Sequence, residues 1–297
     1  MTFQGIRKIR TYNNVYKFWQ KEGKIRGNGI YATLRDHYFR YVEIKSILKE
    51  IKSKKKHMLD IGCGNGISTF FLAPYATKVT GIDYSKNLID NANKFKNKKI
   101  FKKIIKACDY KDLKSGFKNI DFKVGDILNL KDYKNKFDIA VCSRVLINLG
   151  TQKQQDDAMK NVYDSLKKGS LFILNEVEKN NHSKLSRVRT NFGLDPLEIY
   201  WHNLYLREQH FLKNAKRLGF KLVKKIKYGE YQILSKVMYP KFIHPNKPDF
   251  LSLFNKFAAD IFLNDKKLTN NLIDNFSGKK IKDKSSPSHQ SGYIFKK

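Results

Sequence analysis

The residues best placed to do chemistry are acids and glycines at fixed intervals. Asp60-x-Gly62-x-Gly64-x-Gly66 follows the apolar run Met58-Leu59 and precedes Ser68-Thr69-Phe70-Phe71-Leu72-Ala73. An apolar strand, a glycine turn and a helix start let a ligand approach backbone N–H groups, because glycine has no Cβ and tolerates positive φ. Gly62, Cys63, Gly64 and Gly66 would form that turn. A second short strand, Lys78-Val79-Thr80-Gly81-Ile82-Asp83, ends in an acid 17 residues after Gly66. A carboxylate at the tip of strand two suits a ribose diol, whose two hydroxyls can both donate to it. Spacing excludes two other phosphate loops. The dinucleotide fingerprint would need glycine where Ile67 stands, and no lysine lies between His57 and Ala73 for a Walker loop.

The Asp60-to-Gly66 motif resembles the first motif of class I S-adenosylmethionine (SAM) dependent methyltransferases. The strand Lys136-Phe137-Asp138-Ile139-Ala140-Val141-Cys142-Ser143 and the run Leu166-Lys167-x-Gly169-Ser170 followed by Leu171–Leu174 are similar to later parts of the same family. The likeness covers residues 55–177 and fades over 178–240; within the family it looks like the type 11/25-like bacterial enzymes of small-molecule or polysaccharide pathways. It implies an α/β fold, a doubly wound, mainly parallel seven-stranded sheet, with SAM as cofactor and S-adenosyl-L-homocysteine as product. The cofactor residues it implies are Asp60, Gly62, Cys63, Gly64, Gly66, Asp83, Tyr84, Asp126, Ile127 and Ser143. Asp126, after the third strand Ile120–Val124, would accept from the adenine amino group. Arg144 departs from the small or polar residue usual after strand four. It would either bind an acceptor carboxylate or phosphate, or pair with an acid.

An oxygen acceptor also needs a proton acceptor. Glu176, His182, Asp195 and His202 lie at or after the end of strand five, with Glu176 and His202 the leading catalytic candidates. His202, among Tyr200, Trp201 and Tyr205, also reads as a packed histidine. Clustered acids after strand four are missing, so no metal is expected.

Positioning these groups takes strands alternating with helices, which implies a parallel sheet with ligands at the strands' carboxyl ends. Residues 1–54 form an N-terminal extension with a helix expected over 29–51, whose Tyr31 and Arg35 would reach the acceptor pocket or simply pack on the sheet. Residues 55–227 form the SAM-binding core. Within it, the lysine-rich 96–118 reads as a surface insertion, and 178–204 as irregular. Residues 228–290 form an insertion too long for a hairpin, with Phe250, Leu251, Leu253, Phe254, Phe257, Ile261 and Phe262 at helical spacing; this predicts a helical cap over the site. A mobile basic loop is expected at 278–288, and 291–297 close the sheet as an antiparallel last strand.

Composition narrows the setting. The chain has 297 residues, 41% of them hydrophobic, and a formal charge of +33. Of its 60 basic residues ten are arginine and fifty lysine, the lysines spread along the whole chain. That pattern suits codon bias in an AT-rich genome as well as an anionic partner, since specific phosphate and base readout favours arginine. Three cysteines without ligand spacing imply reduced thiols and a cytoplasmic protein. No apolar stretch suggests a transmembrane segment or a signal peptide. The resulting expectation is an O- or N-methyltransferase of a small or sugar-like acceptor. An RNA or cap methyltransferase, and a non-catalytic SAM-binding subunit, are the alternatives.

Overall fold

The computed structural model describes residues 9–51, 56–110, 112–245, 252–265 and 288–297. Seven strands form one sheet: β1 (His57–Ile61), β2 (Lys78–Asp83), β3 (Ile120–Val124), β4 (Phe137–Ser143), β5 (Leu166–Val177), β6 (Lys221–Lys227) and β7 (Gln290–Lys296). Their spatial order is β3-β2-β1-β4-β5-β7-β6. The five strands from β3 to β5 pair in parallel, while β7 runs antiparallel to both β5 and β6. The strand order reverses beside β1, between β1 and β4, and a doubly wound sheet opens a ligand crevice at such a reversal.

The central strands are apolar on both faces because helices cover both. Met58, Val79, Ile139, Ile173 and Ile294 pack under α2 (His37–Glu50), α3 (Ile67–Leu72), α4 (Lys86–Phe95) and α10 (Leu253–Asn264). Leu59, Ala140, Cys142, Phe172 and Phe295 pack under α6 (Gln152–Ser165) and α8 (Glu208–Leu218). Alternate residues of each strand thus feed two separate cores.

Three local expectations change. The helix expected over 29–51 starts only at His37, because Asp36 adopts an extended backbone and its carboxylate accepts from the Phe39 N–H at 3.0 Å. Residues 29–36 are thereby left irregular, while a separate helix, α1 (Tyr12–Arg26), precedes them. The 96–118 segment is more than a surface insertion. It forms α5 (Lys98–Ile105), and its Phe101, Cys108, Tyr110 and Leu113 are buried in the core beside α3. The 178–204 segment is irregular only in its second part. It opens with α7 (Lys179–Asn191), which buries His182, Leu185 and Val188 at three-residue spacing on an otherwise polar helix.

The insertion before β7 is helical where described, with α9 (Gly229–Ile233), a π-helical turn over Leu234–Ile243, and α10. Its α10 packs on α2. Phe250, Leu251 and all of the expected basic loop except Ser288 lie outside the described residues.

Candidate active site

A cavity of about 550 Å³ opens at the carboxyl ends of β1, β2 and β4. That volume suits a small-molecule site. One part of its wall is made of turns, the other of side chains.

The turn part begins where β1 ends. Gly62, Gly64 and Gly66 have φ of 67°, 57° and 79°, backbone that side-chain-bearing residues rarely adopt. A Cβ on Gly62 would lie 2.2 Å from Val145 Cγ2, and one on Gly66 would lie 2.5 Å from the Phe122 ring. The Gly64 N–H donates to Asp83 Oδ2 at 3.0 Å and the Ser85 N–H to Oδ1 at 2.8 Å. Asp83 is thus aimed by two turns at once. It lines the cavity beside Asp60, Gly62, Cys63, Tyr84, Asp126, Ile127 and Ser143.

Gly64 and Gly66 do not reach the cavity. Gly64 serves it by holding Asp83, and Gly66 lets α3 close on Phe122. Asp60 accepts from Thr69 Oγ1 at 2.5 Å, tying β1 to α3. With no basic side chain against them, burial raises Asp83 to about 6 and Asp60 to about 7. Asp126 accepts from the Tyr12 hydroxyl and from the Leu128 N–H. The hydroxyl oxygen of Tyr84 is buried with no hydrogen-bond partner among the described residues. A carboxylate with spare lone pairs, a second acid and an unsatisfied hydroxyl fit an adenosine-bearing ligand such as SAM.

The side-chain part is drawn from distant segments. From α1 come Tyr12, Phe18 and Trp19; from the irregular stretch before α2 come Tyr31, Arg35 and Asp36; from the segment before α8 come Tyr200, Trp201, His202 and Tyr205. Phe18 stacks on His202 with ring centres 4.4 Å apart, and Tyr200 stacks on it at 5.7 Å. Burial lowers the His202 imidazole to about 4, and its Nδ1 has no partner among the described residues. From the insertion and the residues beside β7 come Lys236, His289 and Gln290. These, rather than α10, are its contribution to the site.

Arg144 lines the cavity in a left-handed conformation, φ 59°. Of its two expected roles the ion pair is realised: its guanidinium donates to the buried Glu43 of α2.

The base candidates separate. Glu176, His182 and Asp195 do not line the cavity, whereas His202 does. Glu176 is wholly buried and accepts from the Leu146 N–H at 2.7 Å, which fixes the turn after Arg144. Burial pushes its pKa up to about 8. Glu176 therefore positions a loop and cannot touch an acceptor. Among the described residues no group of three or more His, Cys, Asp or Glu side chains is gathered to hold a metal ion. No helix among them is long and apolar enough to cross a membrane.

Sequence reasoning missed Glu43, Lys236 and His289. Nor did it place residues 1–28 at the site, although Phe18, Glu22 and Arg26 at four-residue steps mark one helix face lining the cavity. Lys236, one lysine of fifty, carried no such mark.

The profile of the methyltransferase domain family matches residues 52–205, from the approach to β1 through the aromatic segment. The chain belongs to this family. It is a class I SAM-dependent methyltransferase domain, and membership implies use of SAM. Among curated proteins it is similar to the ubiquinone biosynthesis O-methyltransferase of Coxiella burnetii strain RSA 331, 25% identical over 190 residues, spanning 63% of this chain and 73% of that one. In fold it resembles the putative methyltransferase solved in complex with the Haloferax volcanii Trm112 activator, with TM-score 0.56 and 11% identity over 95% of this chain and 96% of that one. The N-methyltransferase NodS of Bradyrhizobium japonicum, solved with S-adenosyl-L-homocysteine, has TM-score 0.50 and 17% identity over 72% of this chain and 90% of that one.

Proposed function

We propose that this methyltransferase transfers the SAM methyl group to an oxygen or nitrogen of a small, planar or sugar-like acceptor. The observation that carries the reading is the continuity of one cavity from Asp83 and the glycine turn to the ring wall of Phe18, Trp19, Trp201 and His202. SAM supplies an electrophilic methyl on sulfur. The chain's part is to hold, align and exclude water. Asp83 would accept from the ribose hydroxyls, Asp126 from the adenine amino group, and Gly62 would allow close backbone approach. Tyr31 and Arg35, with the aromatic wall, would orient the acceptor. His202, neutral down to about pH 4, would take the proton from an acceptor hydroxyl at its unpartnered nitrogen. A nitrogen acceptor would need no such step while uncharged.

A cavity of about 550 Å³ with aromatic walls supports a small acceptor over RNA, whose backbone calls for an extended basic groove. The three cysteines are free and buried, which suits the cytoplasmic setting expected for such an enzyme. The test is calorimetric titration with SAM, followed by methyl transfer from labelled SAM to panels of phenols, nucleotide-sugars and RNA. SAM binding with label on a small acceptor is the expected result. Absence of SAM binding would overturn the reading, and label on RNA alone would replace the acceptor class.

A further inference from the structure

We infer that the acceptor carries an anionic group, a carboxylate or a phosphate, that is seated on Lys236. The inference rests on the ring-walled compartment being the acceptor side of a methyl-transfer site. Lys236 lies on the π-helical turn after α9 and lines the cavity. Its ammonium has no hydrogen bond or ion pair among the described residues. Of the acids nearby, Asp36 attracts it through space but makes no ion pair with it, and burial raises the pKa of that carboxyl, which weakens the compensation. Asp36 accepts from Tyr231 Oη at 2.6 Å and from the Phe39 N–H, and Glu43 is taken by Arg144. Glu198 is exposed at the rim.

Further positive charge gathers at the same end. Arg189 gives its guanidinium N–H groups to the carbonyl oxygens of Asp195 and of Lys236 itself, which cancels no charge. Arg35, on the cavity wall, has no acidic partner among the described residues. A cation withdrawn from water with only a weakened counter-charge and no hydrogen-bonded partner destabilises a fold, and the cost is relieved when a ligand brings the opposite charge. The rings of Trp19, Trp201 and Tyr205 on the same wall supply flat apolar surface. The ligand that satisfies both is a planar acceptor with a charged carboxylate or phosphate substituent.

Both tryptophans of the chain, Trp19 and Trp201, line the cavity, so their fluorescence reports on it directly. The full chain is titrated with 4-hydroxybenzoate, 4-hydroxyphenyl phosphate and the uncharged 4-hydroxybenzamide, and SAM binding is measured separately by calorimetry. At least one anion is expected to quench with tenfold higher affinity than the amide, about 1.4 kcal/mol. The tighter of the two anions identifies the group. Lys236→Met should abolish the preference, and Lys236→Arg should keep it. Equal binding of amide and anions, a preference that survives Lys236→Met, or no quenching by any of the three would overturn the inference. Loss of SAM binding with the anion preference intact would instead overturn the transferase reading alone.

Discussion

The two ends of the cavity are built by different means. At the adenosine-fitting end, backbone does the work: three left-handed glycines and two N–H groups fix Asp83 within a stretch of 26 residues, 60–85. At the ring-walled end, side chains from α1, the approach to α2, the approach to α8, the π-helical turn and the start of β7 converge across more than 250 positions. A backbone-made end is fixed by short-range geometry and tolerates little change. A side-chain-made end can be re-cut residue by residue without disturbing the sheet, which is how one fold serves many acceptors.

The difference can be broken at either end. The largest effect is expected from Asp83→Ala, which would remove the two charge-assisted hydrogen bonds proposed to the ribose. SAM affinity should fall about a thousandfold, roughly 4 kcal/mol, by calorimetry, with circular dichroism confirming an intact fold. An unchanged affinity would mean that the carboxylate serves only the turn.

Next comes His202→Phe, which keeps the ring stack but removes the nitrogen. With an oxygen acceptor kcat should fall about a hundredfold while SAM affinity holds. A loss below threefold would leave His202 a packing residue, as its place between Phe18 and Tyr200 also allows. Because burial lowers its pKa to about 4, protonation of His202 should not limit the rate above about pH 5.

A smaller effect marks Glu176, buried beneath the turn after β4. Its folded pKa of about 8 exceeds the ordinary carboxyl value of 4.5, so the folded chain binds more protons than the unfolded one between those limits. Its contribution is therefore largest at low pH and declines as pH rises from about 4.5 to 8, by at most about 1.4 kcal/mol per pH unit. Glu176→Gln should flatten that slope in thermal melts. An unaltered slope would show that the carboxyl is ionised in the fold.

What was legible in the sequence follows the same division. The glycine spacing, Asp83 and the strand pattern exposed the sheet and the turn-made end of the cavity, because strand and turn periodicity are short-range signals. The ring-walled end was read in fragments. Arg144 was expected there with two roles, and only the position of Glu43, 101 residues away, decides between them. Glu176 looked catalytic because it ends a strand, yet its side chain turns under Leu146 instead of toward the cavity. Its direction depends on the strand's register and on the loop above, neither of which a single chain's order of residues reveals. The polar face of α7 hid its apolar stripe in the same way.

Helix α1 touches both ends of the cavity. Its Tyr12 donates to Asp126, Trp19 and Gln20 engage the turn around Tyr84 and Ser85, and Phe18 lies on His202. The two substrates would therefore share a single wall whose ordering need be achieved only once. Whichever arrives first should leave a better-prepared berth for the second, a several-fold mutual tightening that paired titrations would detect as the same factor in either order of addition. A spent cofactor that lingers would then detain the other occupant as well, slowing the departure of both.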